Sequence, residues 1–215
     1  MYKHPKVNRD KITSKEALDI LIEGNQRFIN DLKIQHDVLN IRDEIKDKQN
    51  PFASILSCSD SRTTVELIFD QNLGDLFSVR LAGNIASKEA IGSIEFSCDQ
   101  LGSKIIIVMG HTGCGAIKAA CDQKKGNNIG EIIKLIEPAV DLEKSISDKE
   151  QRNSKNDLFV QKVCFLNVQK QIERILLNSS IINEMIKTKK IGIVGCVYNL
   201  STGIVEIDYK NAILF

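Results

Sequence analysis

Net charge is what this 215-residue chain most plainly lacks: 29 Lys and Arg stand against 28 Asp and Glu, leaving +1. With no basic field over the molecule, neither nucleic acid nor an anionic membrane surface is an expected partner. Long apolar runs are missing too. The longest, Ile105 to Met109, has five residues, against the roughly 20 that a membrane-spanning helix needs. Met1 to Lys11 mixes Lys3, Lys6, Arg9 and Lys11 with polar residues and has no apolar centre, so no secretory signal is read and the expected location is cytoplasmic. The six cysteines, at 58, 98, 114, 121, 164 and 196, are too few for a disulfide scaffold and include no CxxC pair. That excludes thioredoxin-like redox motifs and zinc ribbons, which need two thiols on one turn. If these thiols bind a metal, the fold has to bring them together. Internal repeats and low-complexity segments are absent.

What is there suffices for one domain with a core of its own, expected as a helical arm over 1–50 and an α/β core over 51–215. Leu18, Leu21, Ile22, Phe28, Ile29 and Leu32 recur at helical spacing, and Thr13 with Glu16 forms a capping-box signature, so a helix is expected from Ser14 to Leu32. Asp37 to Asn50 reads as a second helix or a loop. Beyond Pro51 strand and helix textures alternate: strand over Phe52 to Ser57, helix over Thr64 to Gln71, strand over Leu76 to Leu81, helix over Lys88 to Leu101. Lys104 to Met109, rich in β-branched residues, suits a central strand buried on both faces, and Gly115 to Lys124 turns helical again. This alternation predicts a mostly parallel sheet flanked by helices. Two long helices are expected over Ile129 to Ile146 and Leu158 to Leu177, followed by a strand pair over Ile191 to Tyr198 and Ile204 to Tyr209.

Two segments put metal-ligand residue types directly after a strand: Cys58-Ser59-Asp60-Ser61-Arg62 and Gly110-His111-Thr112-Gly113-Cys114-Gly115. Parallel neighbouring strands end at one edge of a sheet, where open α/β folds bind ligands. Two cysteines and a histidine suit Zn²⁺, with a fourth position free for water or substrate. Asp60 could close that position as a fourth ligand, or Arg62 could hold its carboxylate off the metal in a bidentate pair. Two thiolates cancel the charge of Zn²⁺, so bound water is acidified less than at an all-histidine site, and activity is expected to climb above neutral pH. Cys98, Cys121, Cys164 and Cys196 read as small buried hydrophobes. His4 and His36, the other histidines, read as surface residues rather than proton shuttles.

In these residues the chain resembles the β-class carbonic anhydrases. C-S-D-S-R at 58–62 and G-H-T-G-C-G-A at 110–116 are similar to that family's two signatures. Further likeness lies in the stretches at 16–28, 70–84 and 194–205. The resemblance implies reversible hydration of carbon dioxide by attack of zinc-bound hydroxide, Cys58, His111 and Cys114 as ligands, and Asp60 with Arg62 controlling the fourth position. It further implies Gln49 as a donor to bound bicarbonate from across a dimer interface, Phe77 and Phe96 as the lining of a small apolar pocket, and Gly115 beside the second cysteine. A homodimer, or a dimer of dimers, with the N-terminal arm packed on a second subunit is implied as well. Thr63-Thr64-Val65 departs from the Val-Pro-Pro usual there. The absence of tryptophan, with Gln49 present, fits the non-allosteric branch. Two other functions use the same residues: hydrolysis of carbon disulfide or carbonyl sulfide, and a non-catalytic zinc-stabilised dimer acting as scaffold or bicarbonate sensor.

Overall fold

A computed structural model describes residues 11–34 and 38–215. His4 and His36 lie outside the described residues. Five strands form one sheet in the order β2-β1-β3-β4-β5: β1 Ala53–Ser57, β2 Leu76–Arg80, β3 Ile105–His111, β4 Gly192–Tyr198 and β5 Val205–Ile207. All pairs are parallel except β4 with β5, which are antiparallel. The expected α/β architecture, a mostly parallel sheet flanked by helices, is therefore what forms. β3 is buried at every position, as its β-branched run requires of a strand covered on both faces.

The period of two along β3 sorts the core into two layers. Ile105, Ile107 and Met109 pack with Leu18 and Leu21 of α1 (Ser14–Ile29) and with Ile68 of α3 (Val65–Ile68). Ile106 and Val108 point the other way, onto α4 (Lys88–Glu95), α7 (Asp157–Asn178) and α8 (Ser180–Lys187). A third apolar cluster joins α7 to α5 (Gly115–Cys121) and α6 (Asn128–Leu142) and takes in Cys58 and Cys114. The remaining α-helix among the described residues is α2 (Val38–Ile45).

α1 opens with the expected capping box, the Thr13 hydroxyl accepting from the Glu16 N–H at 3.1 Å while a Glu16 carboxylate oxygen accepts from the Thr13 N–H at 2.7 Å. Its apolar face rests on its own sheet. The seat is close: a Cβ at Gly24 would overlap the carbonyl of Phe69 at the end of α3. Asn25 ties the same face down, donating to Ile68 O at 3.1 Å and Gly203 O at 2.9 Å and accepting from Val205 N at 3.0 Å.

Several helices end sooner than their apolar periodicity suggests. α1 stops at Ile29 because Asp31 turns left-handed at φ 54°, and α3 stops at Ile68 ahead of Asp70, at φ 46°. Arg27 Nε meets the Asp70 carboxylate at 2.5 Å and fixes that turn. α4 gives way after Glu95 to a wider turn over Phe96–Gln100. α8 lies beyond the two long helices expected from periodicity. Ser179 breaks the long helical run by accepting from Ile182 N at 3.0 Å, so its hydroxyl starts a new helix where periodicity alone shows only an ending.

Candidate metal centre

The sheet order makes a crevice at one place. The chain leaves β1 toward β2 on one side, and β3 lies on the other side of β1, so the connections beyond these two strand ends diverge and leave room between them. Ser57 pairs with Met109, which sets Cys58 beside Gly110 and His111 at the carboxyl edge of the sheet. Gly113, left-handed at φ 66°, then folds the chain back so that Cys114 returns to the same point and α5 begins at Gly115.

Cys58 Sγ, Cys114 Sγ and a ring nitrogen of His111 all lie within 4.8 Å of one another, and all three residues are buried. The sulfurs are 3.9 Å apart. His111 Nδ1 stands 3.0 Å from the carbonyl oxygen of Thr112, and a carbonyl can only accept, so Nδ1 carries the proton. That leaves Nε2 as a lone pair, fully buried, with no hydrogen-bond partner among the described residues. Left to themselves the two thiols share one proton. The hydrogen bond from Cys114, aided by the Gly83 N–H, holds Cys58 well below the ordinary thiol range, and Cys114, facing that thiolate, is pushed far up. Two sulfurs competing for a proton beside an orphaned imidazole lone pair suit a thiophilic cation that lets both thiols ionise and occupies Nε2. The donor set therefore fits zinc.

Asp60 and Arg62 sit at the rim. Arg62 Nε donates to Oδ1 at 2.9 Å and Nη2 to Oδ2 at 2.8 Å, with the Arg62 N–H adding a third bond to Oδ1 at 3.0 Å. Those bonds hold the Asp60 carboxyl far below the usual carboxylate range. Oδ2 is 3.9 Å from His111 Nε2.

Two residues outside the expected set brace the loop that carries Cys58 and Asp60. Arg80, at the end of β2, donates through Nε to Cys58 O at 3.2 Å and through Nη2 to Asp60 O at 2.6 Å. Thr63 is buried, and its hydroxyl reaches Cys58 O at 3.0 Å and Asp60 O at 2.9 Å. The threonine that departs from the usual pattern thus ties the loop by side-chain bonds. Arg80 gave a signal in its position at a strand end, next in the sheet to Ser57.

Gln49, Phe77 and Phe96 are elsewhere. Gln49 is exposed and precedes β1; Phe77 pairs with Ser54, four residues and about 13 Å short of Cys58 along the strand direction. Phe96 is half exposed, its ring centroid 6.3 Å from that of Phe77. Phe77 and Phe96 meet toward the amino-terminal edge of the sheet, opposite the metal group of the same chain, and Gln49 lies in the segment that enters β1 at that edge. Gly115 adjoins Cys114 at the start of α5. The other four cysteines are buried, as their apolar settings led us to expect.

Comparison with known proteins agrees with this geometry. A family model described as carbonic anhydrase matches residues 53–205. The chain is 34% identical over 194 residues to carbonic anhydrase 2 of Mycobacterium tuberculosis, covering 87% of this chain and 89% of that one. It is 30% identical over 197 residues to a carbonic anhydrase of Mycolicibacterium smegmatis, covering 89% and 91%. Among solved structures, the β-carbonic anhydrase of Coccomyxa in complex with acetazolamide superposes with a TM-score of 0.69 at 24% identity, covering 89% of this chain and 86% of the other. A tetrameric β-carbonic anhydrase of Sordaria macrospora gives 0.64 at 22% identity, covering 80% and 88%. With the family model spanning most of the chain and the Cys-His-Cys group at the strand ends, the chain belongs to the β-carbonic anhydrase family.

Proposed function

We propose that this chain catalyses the reversible hydration of carbon dioxide to bicarbonate and a proton, with zinc held by Cys58, His111 and Cys114. The observation that carries this reading is the buried, orphaned Nε2 of His111 converging with two sulfurs within 4.8 Å. Zinc bound there supplies Lewis acidity and lowers the pKa of water to yield a nucleophile at moderate pH.

The chain's own residues supply orientation. Asp60, ionised throughout the working pH range, accepts a hydrogen bond from the nucleophile at a carboxylate oxygen and so directs its lone pair at the carbon. Arg62 occupies both carboxylate oxygens, which keeps Asp60 in this accepting role and out of the metal's fourth position. The Thr112 carbonyl fixes the His111 tautomer, and Arg80 and Thr63 stop the Cys58 loop from swinging.

Gln49, Phe77 and Phe96 enter as residues that complete the pocket of a second copy: Gln49 as donor to bicarbonate, the phenylalanines as an apolar slot for carbon dioxide. Their place at the sheet edge away from their own metal group supports a homodimer, or a dimer of dimers, over a lone chain. Gly115 leaves the wall beside Cys114 free of a side chain. Among the described residues no helix is long and apolar enough to cross a membrane, and six free thiols suit the reducing cytoplasm.

Oxygen-isotope exchange between carbon dioxide and water, with zinc assayed on the same sample, tests the activity. Exchange proportional to zinc content is expected. A zinc-loaded sample without exchange would falsify the reading, and release of hydrogen sulfide from carbon disulfide in such a sample would name the heteroallene hydrolase instead.

A further inference from the structure

We propose that Asn167 and Gln171 of α7 are positioning residues for the metal centre: they hold the segment 82–86 so that the Gly83 N–H stays on the sulfur of Cys58. That N–H reaches Cys58 Sγ at 3.3 Å. It comes from a short turn with two successive left-handed residues, Gly83 at φ 72° and Asn84 at φ 44°, a backbone that persists only where its surroundings over-determine it.

α7 provides those surroundings. Asn167 and Gln171 are uncharged amides buried to within 1% of completely, a costly placement unless every polar atom is used. Asn167 Nδ2 donates to Gly83 O at 3.0 Å. Gln171 Oε1 accepts from Ala86 N at 2.9 Å, and its Nε2 donates to Asn167 Oδ1 and to Leu135 O, both at 2.9 Å. Arg174 Nε donates to Ala86 O at 2.9 Å, and Cys164 Sγ donates to the carbonyl of His111 at 3.3 Å. Residues 164, 167, 171 and 174 share one helix face, so a single stripe of α7 grips both the segment 82–86 that touches Cys58 and the strand end that carries His111.

The consequence is chemical as well as mechanical. A backbone N–H on a ligand thiolate draws charge from the sulfur, so the metal it binds is neutralised less and remains the stronger Lewis acid. If the stripe is loosened, the Gly83 N–H drifts and Cys58 becomes a more strongly donating, less well aimed ligand.

The test rests on the metal reading above and uses the full chain loaded with cobalt(II), whose sulfur-to-metal charge-transfer band reports the charge on the ligand sulfurs. Asn167→Ala and Gln171→Met are expected to move that band to longer wavelength and to raise the metal dissociation constant about 10-fold or more in competition with a chelator. Ile175→Ala, a cavity in the same helix, is expected to lower Tm and leave both unchanged. Should Asn167→Ala not fold, Gln171→Met, which keeps the length of the side chain, decides. Variants that lose Tm while band and affinity match the wild type make the stripe merely structural and overturn the proposal. A wild type with no band that depends on Cys58 overturns the metal reading itself, and the two failures are thereby distinguished.

Discussion

Arg62 grips Asp60 through both carboxylate oxygens, at 2.9 and 2.8 Å, at the rim of the metal group. Removing the acid removes the acceptor. Asp60→Ala is expected to lower carbon dioxide hydration about 100-fold at unchanged zinc content. Arg62→Lys, whose ammonium is a point charge and cannot hold both oxygens, is expected to impair the rate less but measurably. Stopped-flow hydration by zinc-assayed samples checks both, and an Asp60→Ala variant as fast as the wild type would remove the role given to this residue.

Zinc with two thiolates and a neutral imidazole carries a formal charge of 2 − 2 = 0, so it acidifies water less than a tris-histidine centre does, where the bound-water pKa is about 7. Hydration is therefore expected to speed up between about pH 6.5 and 9. A pH-rate profile flat over that span contradicts the charge count.

Burial pushes the Cys98 thiol up to about 12, and Cys196, also fully enclosed, is raised as well. In the unfolded chain both ionise near their ordinary value of about 8.5. A folded-state pKa raised in this way contributes stability that is whole below the unfolded value and is lost as pH climbs toward the folded one. Denaturant unfolding between about pH 9 and 11 should show stability falling by up to about 1.4 kcal/mol per pH unit for each such thiol. Cys98→Ala should flatten the slope by one thiol's share; a slope identical to the wild type's would mean that Cys98 ionises as freely in the fold as outside it.

α1 meets α3 at Gly24, where a methyl group would collide with the Phe69 carbonyl. Because the obstacle is backbone, relief requires moving a helix. Gly24→Ala is expected to cost about 3 kcal/mol or more and to lower Tm by roughly 6 to 12 °C. Thermal unfolding measures this, and a Tm within a degree or two of the wild type would show that the helices part without penalty.

Much of the molecule is legible in its residues alone. The β-branched run at 104–109 announces the central strand, Thr13 and Glu16 announce the start of α1, and the glycines around His111 announce a turn able to return Cys114 to it. What stays hidden has physical reasons. Asn167 and Gln171 fall on the buried side of α7, and polar residues among apolar ones are ordinarily taken for the solvent side. Ser179 starts a helix directly where another ends, so the end of the first apolar period hides the start of the next. Spacing along the chain also cannot tell that Phe77 and Phe96 meet at the edge of the sheet facing away from the ligands. That depends on how far into its strand each residue lies.

The pairing of Ser57 with Met109 brings the ligands together from segments more than fifty residues apart. In an unfolded chain they belong to distant, independently wandering stretches and offer a cation no common site. Metal capture and closure of that long loop are accordingly linked, and free zinc above its dissociation constant adds to the stability of the fold. Scarcity of the ion would be felt in the persistence of the polypeptide as well as in its chemistry.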